Sequence, residues 1–265
     1  MYKTYQLAIL YCQYLLKASN GKGHGTHSPF IYSFIKEVLN DNRDFYAYKG
    51  IEELRAELVS DNKVIEVEDF GAGSKQNKTK VRSIKAIAKS SLKPRKYAQL
   101  LFRMVNYYQP KTIVELGTSL GITSSYLASG NTNAKLYTFE GSPAIAAIAR
   151  NNFDRLGLNN INLIEGNFDE TLKPELEKID TIDFAFIDGN HRYQPTVDYF
   201  EQLLAKSNDY TIIILDDIHW SKEMEEAWHY VQQHKTVTTT IDLFYIGIVL
   251  FKKEFLQTQH AVVRY

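Results

Sequence analysis

Lys111-Thr-Ile-Val-Glu115-Leu-Gly117-Thr-Ser-Leu-Gly121-Ile-Thr123 is the stretch that decides the fold of this chain. Its opening, Thr112–Leu116, is β-branched and apolar and reads as a strand. Gly117 and Gly121 then permit a sharp turn and a close backbone approach to a ligand, before a helix over 122–128 whose N-terminus points at the same place. A second strand-like run, Leu136-Tyr-Thr-Phe139, ends in Glu140, 25 positions past Glu115. A strand that stops, a glycine turn, a helix N-terminus and a carboxylate able to hold two ribose hydroxyls together make a nucleoside-binding half-site.

Working outward, short β-branched runs alternate with helical stretches from Lys111 onward, the pattern of a doubly wound, mostly parallel sheet. Strands are expected at 112–116, 135–139, 161–165, 182–187 and 210–215, with helices at 122–128, 143–156, 171–176, 195–206 and 222–234. Ser142-Pro143 marks a helix start and Gly157 its end. Continuous apolar runs such as Thr211-Ile-Ile-Ile-Leu215 suit strands buried on both faces. The last two strands, 236–242 and 245–251, leave only Leu243-Phe244 between them and must pair antiparallel. The expected architecture is thus α/β with seven strands, the final one antiparallel. Residues 1–110 look mainly helical, with loops at 19–29 and 69–77. A helix over 96–108 leads straight into the first strand, so 1–96 read as a helical extension or lid and 97–265 as the cofactor-binding domain.

The 265 residues, 44% of them hydrophobic, suffice for one large core or a core plus a smaller lobe. No apolar run nears the ~18 residues of a bilayer span, so no membrane association is expected. Leu7, Leu10, Tyr11, Tyr14 and Leu15 share one face of a packing helix, which displaces the reading of the N-terminus as a targeting segment. Cys12 is the only cysteine, and a reducing cytoplasm is the expected location. The zero net charge hides a polarity, because residues 1–110 carry 18 Lys/Arg against 10 Asp/Glu. Ten of those bases fall between Lys75 and Arg103 without one acid. That run reads first as a solvated helix face; an anion-binding lid and a nucleic-acid contact are its alternatives. The lack of aromatics between Lys75 and Lys96 removes the stacking platform a nucleic acid would need.

The turn Glu115-x-Gly117-x-x-x-Gly121 lacks the Gly-x-Gly-x-x-Gly spacing of dinucleotide dehydrogenases. It resembles motif I of the class I S-adenosylmethionine-dependent methyltransferases, a Rossmann-like family, and the resemblance extends over about residues 97–253. It implies that Glu115, Gly117 and Gly121, with Thr118 and Ser119 in the turn, surround the methionine part of S-adenosylmethionine while Glu140 holds the ribose. It also places a polar adenine contact after the third strand, for which Asn167 is the candidate. Two rivals share this vocabulary. Gly117-Thr-Ser119-Leu-Gly121 also fits the nucleophile elbow of a serine hydrolase, with Asp216 or Asp217 and His260 as partners in chain order. The helical character of the preceding residues, the missing oxyanion segment and an idle Glu140 weigh against it. Val64-Ile-Glu-Val-Glu-Asp69-Phe-Gly71-Ala-Gly73-Ser74 repeats the strand-then-glycine pattern, but no second strand ending in an acid follows, so it reads as a glycine-bearing loop. A non-catalytic cofactor- or nucleic-acid-binding module is the reading from a different class.

Methyl transfer is an in-line displacement at an activated sulfonium, requiring positioning, water exclusion and deprotonation of the acceptor. The fourth strand runs out into Asp188-Gly-Asn-His191-Arg-Tyr193 and the fifth into Asp216-Asp217-Ile-His219-Trp220. These endings resemble the metal-dependent, catechol-type small-molecule O-methyltransferases, which implies Asp188, Asp216 and Asp217 as ligands of Mg²⁺ or another divalent cation. Asp217 stands where that group carries Asn, and His191 where it carries Lys. Asp188 and His191 are the catalytic candidates; Asp188 borders the cofactor as well, and metal-free acid–base chemistry by this pair is the alternative. The absent Asn/Asp-Pro-Pro-Tyr/Phe sequence favours oxygen over amino acceptors. A small-molecule substrate is expected, nucleic acid is disfavoured, and a homodimer stays open. His24-Gly-Thr-His27 lacks a nearby third ligand and reads as a solvent-facing loop.

Overall fold

The computed structural model describes residues 1–19, 21–23, 28–69, 78–253 and 258–265. The His24/His27 pair and the glycines at 71 and 73 lie outside the described residues. Two compact units divide the chain: Asn42–Lys178, and Met1–Asp41 together with Ile179–Tyr265.

Residues 1–41 hold α1 (Thr4–Lys17) and α2 (Pro29–Ser33), the latter running into a π-helical segment, Phe34–Leu39. Ser28 caps α2 by accepting from the Ile31 N–H, with Pro29 at the first helical position.

The unit Asn42–Lys178 continues through α3 (Tyr46–Ser60), β1 (Val64–Asp69), β2 (Lys78–Ser83), α4 (Ile84–Ser91) and α5 (Arg95–Tyr108). Three strand–helix repeats follow: β3 (Thr112–Leu116) with α6 (Ile122–Gly130), β4 (Lys135–Glu140) with α7 (Pro143–Arg155), and β5 (Ile161–Glu165) with α8 (Phe168–Glu177). Parallel pairing sets Val114 beside Tyr137 and Tyr137 beside Asn162. β1 and β2 instead form a separate antiparallel pair, Val64 opposite Ser83. The strand part of the pattern, Val64–Asp69, therefore pairs antiparallel, and among the described residues it has no parallel partner to build a second nucleotide half-site. The basic run resolves into amphipathic structure: α4 buries Ile84, Ile87 and Ala88 and exposes Lys89. Ile51, Leu54, Phe102, Leu120 and Tyr126 share a core with that helix.

In the other unit the chain passes through β6 (Ile182–Ile187), α9 (Tyr193–Leu204), β7 (Ser207–Asp216), α10 (Lys222–Gln233), β8 (Thr239–Asp242), β9 (Ile246–Leu250) and β10 (Gln259–Val262). These strands lie in the order β10-β8-β9-β7-β6. β6 and β7 are parallel, and β9 runs antiparallel to both β7 and β8. With β3, β4 and β5, the strands of the α/β arrangement number eight among the described residues rather than the expected seven, the addition being β10, parallel to β8. Its sequence, Gln-His-Ala-Val, is too short and too polar at its start to announce a strand. Residues 212–215 of β7 and all of β9 are buried, as their unbroken apolar runs require.

α1 is held at both ends within this unit. The Tyr2 N–H donates to the Trp220 carbonyl (3.0 Å), and the Tyr14 hydroxyl donates to the Val263 carbonyl while accepting from the Tyr265 N–H (3.1 Å).

Candidate active site

Between β3 and α6 the chain takes positive φ three times in five residues: Gly117 (108°), Ser119 (48°) and Gly121 (82°). The Gly117 and Thr118 N–H groups both donate to the Phe139 carbonyl, 3.1 and 3.0 Å away, fixing the turn to the end of β4. A Cβ at Gly121 would stand 2.6 Å from the Phe153 ring, so this glycine also allows α6 to start hard against α7. Glu140 faces the turn from β4: its Oε2 accepts from the Ser119 N–H and its Oε1 from the Ser142 N–H, each at 2.9 Å. Burial raises its pKa, opposed by backbone donors from Ser142, Ser119 and Gly141.

Glu115 is fully buried at the end of β3. Its Oε2 accepts from Ser124 and from Thr138 (2.6 Å), while Oε1 is buried with no hydrogen-bond partner among the described residues. Since Thr138 gives its proton to Glu115, Thr118 is the donor across the 2.6 Å Thr118–Thr138 contact. Burial, partly offset by the Ser124 and Thr138 donors, pushes Glu115 up to about 7. Asn167 caps α8, its Oδ1 accepting from the Asp169 N–H at 3.2 Å. The Ser119 hydroxyl meets that of Ser91 at 2.8 Å, and the His260 Nδ1 meets the Thr240 hydroxyl at 2.8 Å. Neither of these contacts is a serine–histidine pair of the kind a hydrolase triad uses.

The second group of candidates sits beyond β6 and β7. Asp188, His191 and Asp216 bring one ligand atom each within 4.8 Å of one another, and His191 Nε2 lies 3.6 Å from Asp188 Oδ1. Asp216, at the end of β7, is only 1% exposed. Asp217 does not join them. It takes a left-handed φ of 52°, its N–H donates to the Tyr245 carbonyl (2.6 Å), and it lines a cavity shared with α1. The left-handed step turns consecutive aspartates apart, whereas the sequence-based set counted both as ligands. His191 rests edge-on against Trp220, ring centroids 5.5 Å apart.

His219 was not among the sequence candidates. Its Nε2 meets Asp242 at 2.8 Å and its Nδ1 meets Glu225 at 3.2 Å. Burial lowers its pKa, but Asp242 and then Glu225 outweigh that, so the imidazole keeps its proton above the ordinary range. Nothing in the spacing Asp217-Ile-His219 signals partners from α10 and β8.

The order of strands and the glycine turn closed by Glu140 define an α/β protein with the strand, glycine turn and acid that the sequence predicts for a nucleoside half-site. A family model described as a methyltransferase domain matches residues 114–218. A catechol O-methyltransferase of Niastella koreensis is 33% identical over 126 residues, 46% of this chain and 55% of that protein. The catechol O-methyltransferase of Sus scrofa is 30% identical over 131 residues, 47% of this chain and 69% of its own length. The chain thus spans little more than half the length of the bacterial relative. An O-methyltransferase from Bacillus cereus, solved in complex with SAH, shares the fold with a TM-score of 0.57 at 21% identity, covering 83% of this chain and 97% of that one. The chain belongs to the class I S-adenosylmethionine-dependent methyltransferase family. Among the described residues no helix is long and apolar enough to cross a membrane.

Proposed function

We propose that this chain transfers the methyl group of S-adenosylmethionine to a hydroxyl oxygen of a small molecule, with a divalent cation at Asp188 and Asp216. The observation that carries the acceptor chemistry is the convergence of Asp188, His191 and Asp216 within 4.8 Å. Two carboxylates, one of them 1% exposed, form an oxygen-donor pair that a hard cation would neutralise. A bound cation would lower the pKa of the acceptor hydroxyl. His191 supplies the third ligand atom of that group or takes the acceptor proton; its place 3.6 Å from Asp188 supports either role.

On the cofactor side, S-adenosylmethionine supplies a sulfonium methyl that needs no covalent nucleophile. Glu140 is proposed to exchange its bond from the Ser119 N–H for ribose hydroxyls, and the unpartnered Glu115 Oε1 suits the positive charge of the methionine part. Gly117, Thr118, Ser119 and Gly121 shape the turn, and Asn167 is proposed to contact adenine from the α8 cap. In this reading residues 97–265 are the cofactor-binding domain and 1–96 its helical extension, working in the cytoplasm on a small-molecule substrate, with a homodimer as the proposed assembly.

Titration calorimetry with S-adenosylhomocysteine is the direct test. Binding in the micromolar range, lost on Glu140→Ala and kept in Asp216→Asn, is the expected result, and no heat at millimolar ligand refutes the cofactor assignment. Methyl transfer should fall at least 100-fold in Asp188→Asn and on chelation, with recovery on adding Mg²⁺. Chelator-insensitive turnover would leave acid–base chemistry by Asp188 and His191 in its place.

A further inference from the structure

α1 is apolar on both of its sides. The inner side carries the fully buried Tyr14 and the half-buried Leu7, Leu10 and Tyr11, with Tyr11 and Tyr14 resting on the Phe244 ring. At about 100° per residue, Tyr5, Ala8, Ile9, Cys12 and Leu16 fall together on the outer side, in an arc of about 100° that holds no polar residue. All five are exposed, Leu16 by 87%, Tyr5 by 61% and Ile9 by 54%. A surface helix ordinarily turns a polar face to water, and one that is apolar all round is expected to be covered on both sides. The outer stripe of α1 is therefore a surface built to be covered.

Charge says what covers it. The first 36 residues carry Lys3, Lys17, Lys22 and Lys36 and no acid, Glu37 being the first. Lys3 and Lys17 stand exposed at the two ends of α1. The acids of α10 that border the helix start are each engaged: Glu225 by the Tyr2 hydroxyl and His219, Glu226 by Lys222 and Glu223 by Arg192. A second copy of the chain suits this face poorly. A strip roughly 10 Å wide on a helix roughly 21 Å long offers on the order of 200 Å², well short of the about 800 Å² that each partner buries in a stable dimer. Pairing α1 with itself in either direction also sets lysine ends against lysine ends. A bilayer interface takes each apolar side chain separately into the acyl boundary, while anionic headgroups attract the lysines. Tyr5, apolar in its ring and polar at its tip, suits the headgroup level.

We infer that α1 docks this chain on an anionic lipid surface, lying in the interface with Tyr5, Ile9 and Leu16 toward the acyl chains and Lys3 and Lys17 toward the headgroup phosphates. The expectation of no membrane association rested on the lack of an apolar span of ~18 residues, and a helix that lies on the bilayer needs none. One short helix makes the attachment peripheral and reversible. The inference rests on neither the Asp188 group nor the cofactor turn.

The test floats the full chain with vesicles of phosphatidylcholine, either alone or with three parts in ten of phosphatidylglycerol. The wild type should float with the anionic vesicles at least fivefold more than with the neutral ones, and added salt should reduce the difference. Ile9→Gln combined with Leu16→Gln changes exposed positions and spares the core. It should lower flotation at least tenfold and leave thermal unfolding unchanged. Lys3→Gln combined with Lys17→Gln should remove most of the preference for anionic vesicles. A bimane label on Cys12, the only cysteine and an exposed one in the middle of the stripe, gives a readout that needs no substitution. Doxyl groups carried on the lipid chains should quench it. Wild-type protein that stays in solution at millimolar anionic lipid, an Ile9/Leu16 variant that floats normally, an unchanged anionic preference in the lysine variant, or a Cys12 label untouched by the lipid-borne quencher each overturns the inference. A dimer in sedimentation equilibrium that becomes monomeric in the Ile9/Leu16 variant, with no flotation of the wild type, overturns it too and assigns the face to a second copy.

Discussion

Glu115 is a carboxyl with no solvent exposure, held by two side-chain hydroxyls through a single oxygen. Folding raises its pKa from 4.5 to about 7, so between those values the native state binds more protons than the unfolded chain. Stability must then fall as pH rises through that window and level off above it, a loss of roughly 3 kcal/mol. Glu115→Gln keeps an oxygen for Ser124 and Thr138 and removes the titration. Urea unfolding at pH 5 and pH 8 should therefore show a smaller difference for the variant than for the wild type, and equal differences would refute the assignment. The same substitution should weaken S-adenosylhomocysteine if Glu115 meets the cofactor's charge. The candidate acids at 115, 140, 188 and 216 were legible because each ends or follows a β-branched run. Their partners were not: that Glu140 holds the Ser119 N–H, or that Asp217 turns away, depends on left-handed residues with no side-chain signature.

At the scale of elements, the α6 start shows how a glycine can be demanded twice. Gly121 combines a φ of 82° with a Cβ position 2.6 Å from Phe153, whereas Gly157 has a φ of 66° and open space around it. Gly157→Ala should cost about 1 kcal/mol from backbone strain alone. Gly121→Ala should cost about 2–4 kcal/mol, because overpacking adds to the same strain. Adding Phe153→Leu to Gly121→Ala should recover part of that loss while leaving the Gly157→Ala cost unchanged. Thermal unfolding of Gly157→Ala and Gly121→Ala, each with and without Phe153→Leu, is the check, and equal costs at the two glycines would contradict the packing argument. The repeating strands and helices from Thr112 to Gln233 were readable because their apolar periodicities differ from one another. β2 escaped notice because Lys78-Thr-Lys-Val-Arg-Ser places bases at alternate positions, and only pairing with β1 turns that pattern into a strand. The same bases looked like a charge run because sequence alone does not distinguish a hairpin edge from a solvated loop.

Across the whole molecule, the least legible feature is the meeting of the two ends of the chain. Ser19 forms a parallel bridge with Val263, the Arg264 guanidinium donates to the Leu15 carbonyl at 2.9 Å, and Tyr14 engages both Val263 and Tyr265. Contacts separated by about 250 positions leave no local pattern, so the N-terminal helix was recognisable as a packing helix without any sign of what it packs on. Tyr14 is the only α1 residue that is fully buried, and much of the helix remains exposed. Its attachment therefore depends on a few polar links more than on a deep apolar face. Tyr14→Phe keeps the ring against Phe244 but strands the Val263 carbonyl and the Tyr265 N–H, a loss of about 1–3 kcal/mol. Hydrogen exchange should accelerate at the Ser19 and Arg264 amides, which bridge the two ends, and change little at Ile213 and Val249 in the buried strands. Uniform acceleration at all four would mean that the ends are part of the global cooperative unit rather than a separately opening clasp.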